Sequence, residues 1–148
     1  MQRVTVQHGP FDPGAILSAF TGLADGAGAV VSFSGITRDL AAHDLVAMEI
    51  EHYPGMTEAA LEDIRSRAIA RFALIDALIL HRHGRLAPGD PIMMVATAAR
   101  HRAAAFQGAE FLMDYLKSRA PFWKKEITAT GAAWVAAKDD DEAALTRW

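Results

Sequence analysis

The chain has 148 residues, 51% of them hydrophobic and 22% charged, with a formal net charge of −3 and no cysteine. That length buries one core, so residues 1–148 are expected to form a single domain, and the mild acidity argues against nucleic acid as the main partner. With no cysteine there is no disulfide, no thiolate metal ligand and no thiol here to carry sulfur or an acyl group. No stretch approaches 18 consecutive apolar residues and the start does not read as a signal peptide, so a cytoplasmic protein without a membrane partner is expected.

Val4 and Val6 alternate with polar neighbours in a first strand. Asp12-Pro13 reads as N-cap and first position of a helix carrying Ile16, Leu17 and Phe20, closed by Gly22. Ala27 to Ser34 is a buried-looking strand, and Gly35-Ile36-Thr37-Arg38-Asp39 turns into a polar loop ending near Asp44. Val46, Met48 and Ile50 alternate with Glu49 and Glu51, giving a strand with one apolar and one acidic face. Tyr53 to Thr57 is a turn with Thr57 as N-cap of a core-packing helix bearing Leu61, Ile64, Ala68 and Phe72. Leu74 to Arg82 and Pro91 to Ala99 read as a hairpin-like pair of strands joined by the turn-rich Gly84 to Asp90. A long helix follows from about Arg102 to Arg119, with Phe106, Ala109, Met113 and Leu116 on one stripe, and Pro121 ends it. Phe122 to Thr128 and Ala132 to Ala137 form two last strands around Gly131, before a solvated acidic run, Asp139 to Glu142, and a short terminal helix. Helices interleaved with strands and hairpins indicate an α/β or α+β domain with a mixed or antiparallel sheet.

Four places can carry chemistry. His101-Arg102 stands where a strand hands over to the long helix, so free backbone N–H groups, the positive helix end and two side-chain donors converge on a phosphate-sized site. Lys117 and Arg119 lie at the other end of that helix, where the macrodipole also favours cations. In Pro121-Phe122-Trp123-Lys124-Lys125-Glu126, extended geometry points Lys124 and Glu126 to one side and Lys125 to the other. A lysine near other cations or in an apolar wall loses proton affinity and can act as acid or base near neutral pH. Arg38 after Gly35 is a guanidinium on a loop, suited to clamping an anion. His81 and His83, at i and i+2, would share a strand face, but two ligands alone make a poor metal site and core or surface histidines are the better reading. His52-Tyr53-Pro54 reads as a packed corner, and no Walker loop, nucleophile elbow or dinucleotide fingerprint is present.

Taken in order and spacing, Gly35-Ile36-Thr37-Arg38, Glu51-His52-Tyr53-Pro54-Gly55-Met56, His81-Arg82-His83-Gly84, His101 to Phe106, Asp114-Tyr115-Leu116-Lys117 and Pro121 to Glu126 resemble the molybdopterin synthase catalytic subunit family over nearly the whole chain. The resemblance implies an α/β hammerhead-type fold with a small added antiparallel β subdomain, and a homodimeric core of a heterotetramer. It also implies a small ubiquitin-like sulfur-carrier subunit with a thiocarboxylated C-terminus, and conversion of cyclic pyranopterin monophosphate to molybdopterin. No metal or resident cofactor is implied. By the same resemblance Lys117 and Lys124 are catalytic, and Ile36, Thr37, Arg38, His101, Arg102, Lys125 and Glu126 join them in binding substrate. Ile36 stands where some relatives have lysine, and Lys138 where relatives can have arginine, reducing a bidentate phosphate contact to a point charge.

One geometric constraint is independent of the resemblance. His101 and Lys117 are 16 positions apart, roughly 24 Å on a continuous helix, so one small substrate can meet both only if the pocket is shared between dimer mates. Two competing readings are a regulatory domain that binds a phosphorylated ligand without turnover, and a metal-dependent hydrolase using His81, His83 and His101.

Overall fold

The computed structural model describes residues 1–136 and 139–148. Its first sheet is mixed, in the order β1 (Val4–Gln7), β4 (Asp76–Arg82), β6 (Pro91–Ala99), β2 (Ala29–Ile36), with β1 parallel to β4 and the other pairs antiparallel. The central β4 is buried along its length, as its run of Leu78, Ile79 and Leu80 requires. Alternate residues serve two layers. Ala77 and Ile79 pack towards α2 (Met56–Phe72) and α3 (Arg102–Arg119), while Leu78 and Leu80 pack with Phe20 of α1 (Pro13–Leu23).

The second sheet is antiparallel, in the order β5 (Gly84–Leu86), β3 (Leu45–His52), β7 (Phe122–Thr128), β8 (Gly131–Trp134). It joins the main core through Ile50 and Leu86, with Met48 and Phe122 packed against them. This is the expected α+β architecture with an added antiparallel subdomain. The strand expected from Leu74 is shorter, and its link to β6 is not a simple hairpin. At Gly84, whose φ is +87°, the chain leaves the first sheet and contributes β5 to the second. The turn residues Pro88, Gly89 and Asp90 just after β5 mask so short a strand in the sequence.

The helix ends depart in detail from expectation. Asp12 caps α1 as predicted, its carboxylate accepting from the N–H groups of Gly14 and Ala15, but the helix runs past Gly22 to an Ala24 C-cap. The N-cap of α2 is Gly55, not Thr57; Glu58 reaches back to the Gly55 N–H, and the buried Thr57 hydroxyl donates to the Tyr53 carbonyl. On α3 the buried stripe is Ala105, Gly108, Ala109 and Leu112, flanked by Phe111, whereas Phe106 is 62% exposed. Small residues let α3 lie close on the sheet, and Gly108 leaves room for Leu74. Ala137, the expected end of the last strand, and Lys138 lie outside the described residues.

Beyond them, α4 (Asp139–Ala144) starts within the acidic run itself, where four carboxylates face the positive helix end. A 3-10 turn, Leu145–Arg147, brings the C-terminus onto α3. Arg119 holds Glu142 through two hydrogen bonds of 2.9 and 2.6 Å, and Asp114 accepts from Arg147 Nε at 2.9 Å and Trp148 Nε1 at 2.7 Å. Trp148 closes an aromatic cluster with Phe72 and Phe111, ring centroids 5.4 and 5.5 Å away. Phe111 also meets Phe72 and Tyr115 and is fully buried, so Phe111→Ala should cost about 3–5 kcal/mol of stability in equilibrium urea unfolding.

Candidate active site

Strand register and the course of α3 place Arg38 and Lys117 at one end of the first sheet. Val6 pairs with His81, His81 with Met93, and Met93 with Gly35, so β2 ends and its Arg38 loop begins in the same row as His81. β6 starts at that row and ends at Ala99 on the far side; α3 returns antiparallel to it and brings Lys117 back to the His81 end. The Thr97 hydroxyl helps set that return by donating to the Ala105 carbonyl at 2.7 Å. His101, the N-cap of α3, and Arg102 are exposed at the opposite end. The His101 side chain makes no capping bond, so the helix N-terminus there offers its N–H groups to an incoming anion.

Lys124 arrives from the second sheet. It pairs with Ile50 and shares a face of β7 with Phe122 and Glu126, whose partners are His52 and Met48. Lys125 points the other way, opposite Glu49, with its ammonium 4.8 Å from the Trp134 ring centroid. The predicted split between the two lysines therefore holds, and only Lys124 turns towards Lys117. The link between them is His81. Burial drives its proton affinity down to about 3, against the pull of its hydrogen bond to the Arg82 carbonyl, and the charges of Lys124, Lys117 and His52 lower it further.

From Lys117 a groove of about 580 Å³ runs back between β2 and α3, lined by Val31 and Phe33 on one side and Phe106 and Met113 on the other, with Glu110 and Asp114 of α3, both paired with Arg147, and Asp141 of α4 also in its lining. Arg38 is exposed beyond β2, as is Ile36. Thr37 between them is 1% exposed; its backbone bonds Asp90 and Gly89, while its hydroxyl has no partner. Thr37 thus braces the Arg38 loop through its main chain. The groove is what sequence reading missed. Its walls alternate along β2 and recur at Phe106, Met113 and Lys117 on α3, a pattern indistinguishable from core spacing until the edge position of β2 is known.

The sequence model of the family described as "MoaE protein" matches residues 6–119. The chain belongs to the MoaE family. The molybdopterin synthase catalytic subunit of Cereibacter sphaeroides is 66% identical over 146 residues, covering 99% of both chains. Among solved structures, a molybdopterin biosynthesis MoaE protein from Burkholderia ambifaria MC40-6 is 50% identical with a TM-score of 0.85, covering 100% of this chain and 98% of its own. Molybdopterin synthase from Staphylococcus aureus is 28% identical with a TM-score of 0.83, over 92% of this chain and 98% of its own. The MoaE match takes in Arg38, His101, Arg102 and Lys117. Lys124 lies past it, within the longer alignment to the Cereibacter relative.

The histidines do not assemble as a metal hydrolase would need. β4 stops at Arg82, so His83 does not share a strand face with His81; it packs on His52, ring centroids 4.5 Å apart, and His101 lies across the sheet. Among the described residues no group of three His, Cys, Asp or Glu side chains is placed to hold a metal ion. No helix among them is long and apolar enough to cross a membrane.

Burial of His81 carries a stability prediction. An unfolded histidine titrates near 6.5, so as pH falls below that value the unfolded chain takes up a proton that folded His81 refuses. The contribution is whole above about pH 6.5 and drains away by up to about 1.4 kcal/mol per pH unit towards pH 3. His83, also lowered mainly by burial, acts in the same direction. Thermal melts at pH 7.5 and 4.5 should show a smaller acid loss for His81→Phe than for the native protein.

Proposed function

We propose that this chain, acting as one unit over 1–148, is the cytoplasmic catalytic subunit of molybdopterin synthase in molybdenum cofactor biosynthesis. It converts cyclic pyranopterin monophosphate to molybdopterin with two sulfurs from the C-terminal thiocarboxylate of a small ubiquitin-like partner. The observation that carries the reading is that Lys117, at the end of the groove, and Lys124, from the second sheet, both act on His81, in a chain of the MoaE family that has no cysteine of its own.

The nucleophile must then arrive from outside. An extended tail suits the groove, which follows α3 from Phe106 to Lys117, roughly 16 Å or about five residues of extended peptide. Val31, Phe33, Phe106 and Met113 flank the tail, and Lys117 at the end of the groove receives the thiocarboxylate anion. Attack of that sulfur on the pterin side chain, opening of the cyclic phosphate and loss of water each need a proton moved and a phosphate held. Lys117 serves as acid and base and Lys124 as electrostatic support. Arg38, with Thr37 in its loop and Ile36 at the end of β2, approaches the substrate from β2, and Glu126 lies on the Lys124 face. Lys125, on the outer face of β7, contributes to the site only indirectly.

His101 and Arg102 complete the site from a dimer mate. β2 is an edge strand, and Phe33, Ile36 and Phe106 around it are exposed. A two-fold axis along that edge sets two α3 helices antiparallel, with the phosphate-binding N-terminus of one beside Lys117 of the other. The complex is then a homodimer carrying a small subunit at each end. Light scattering of the mixture should give a two-plus-two heterotetramer, and small subunit lacking its C-terminal thiocarboxylate should yield no dithiolene product. Product formed without the thiocarboxylate would overturn the reading.

A further inference from the structure

We infer that His81 is a positioning residue of the lysine site: its neutral imidazole, wedged between the two sheets, fixes the strand carrying Lys124 against the helix carrying Lys117 and gives both ammonium groups an uncharged, polarisable neighbour. The inference rests on the synthase reading and adds a residue that the reaction sketched above does not use.

Three observations carry it. His81 sits near the end of β4 in the first sheet, 5% exposed, and its ring lies flat on Phe122 of the second, centroids 3.7 Å apart and planes 16° from parallel. β4 and β7 share no strand pairing, so side-chain packing sets the spacing of Lys117 and Lys124, and Phe122 lies two residues before Lys124 on the same face. His81 Nδ1–H donates to the Arg82 carbonyl at 2.7 Å, which fixes the tautomer and leaves Nε2 as a bare lone pair. The charged and titratable groups acting on the ring are Lys124 from β7, Lys117 from α3 and His52 from β3; β1 and β6 offer Val6 and Met93.

That setting explains why an imidazole is used. A lysine or arginine here would add a third cation to a site already holding two, and a phenylalanine would stack on Phe122 without offering a lone pair. Neutral histidine does both: it stacks as an aromatic and presents an acceptor that favours the ammonium forms. Its loss should make the lysines easier to deprotonate and loosen their spacing.

The test uses the complete complex with thiocarboxylated small subunit. His81→Phe should lower kcat about tenfold or more with KM changed less than about threefold, and shift the lysine-dependent limb of the pH profile downwards by about half a unit or more. His81→Gln, which restores an acceptor near the Nε2 position, should recover part of the rate. A folded, partner-bound His81→Phe with native kcat and pH profile would overturn the inference. An activity-free measurement guards against misfolding variants and against failure of the synthase reading itself. In the native chain labelled with 15N-histidine, the His81 Nε2 resonance should stay that of an unprotonated nitrogen from pH 8 to 5 and should move in both Lys117→Ala and Lys124→Ala. Titration near pH 6.5, or a resonance indifferent to both lysines, would contradict it whatever the assay gives.

Discussion

Lys117→Ala should form dithiolene product at least about a thousandfold more slowly than the native protein while keeping its fold and its grip on the small subunit. Lys117 is exposed at the end of the groove and takes no part in the core, so its truncation should cost within about 0.5 kcal/mol of stability. On the proposed reading, what is lost is a proton donor and acceptor placed where the sulfur tail ends and the phosphate opens. Lys117→Arg makes the test sharper: a guanidinium keeps the charge but does not release its proton near neutral pH, so it should remain almost inactive. If arginine supports native turnover, charge alone suffices and the acid–base role is wrong. A domain that merely binds a phosphorylated ligand would show this tolerance, with binding and no product.

Mixed dimers of His101→Ala and Lys117→Ala should regain about a quarter of native activity after subunit exchange, although each parent dimer is inactive. Random exchange makes half of the dimers mixed, and each mixed dimer has one site in which both changes fall together and one free of both. The physical basis is α3 itself. It runs unbroken from Arg102 to Arg119, so His101 and Lys117 stand at its two ends and at opposite ends of the sheet. A single subunit cannot bring them to one pterin; an antiparallel pair of such helices can. Activity should be read after exchange has been verified by mass, and its absence in verified mixed dimers would place the His101 and Lys117 functions in separate sites.

The elements that the sequence made legible were those with a strong local signal. Asp12-Pro13 marked the start of α1, the alternation of Met48 and Ile50 with two glutamates marked β3, although Val46, expected on the apolar face, is exposed because the register shifts between Leu45 and Ala47, and the Arg102–Arg119 helix and Pro121 marked the passage to β7. The opposed faces of Lys124 and Lys125 followed from the two-residue period of a strand. What escaped depended on distant partners. Gly55, rather than Thr57, begins α2 because Thr57 is drawn inward to bond Tyr53 and His52. Phe106 fits a core stripe by spacing but faces the open β2 edge, and nothing local reports that β2 is an edge. The role proposed for His81 was hidden for the same reason: its partners are 35 or more residues away, Lys117 on α3 and Phe122 and Lys124 in the other sheet.

The central claim is that this chain catalyses sulfur transfer from a partner's thiocarboxylate. The most direct measurement is a mass count on the native complex incubated with cyclic pyranopterin monophosphate, following the small subunit's C-terminus and the dithiolene product together. The account predicts two thiocarboxylates converted to carboxylates for each dithiolene formed. A folded complex that binds the pterin phosphate yet leaves the thiocarboxylate intact would contradict it and leave a ligand-binding domain in its place.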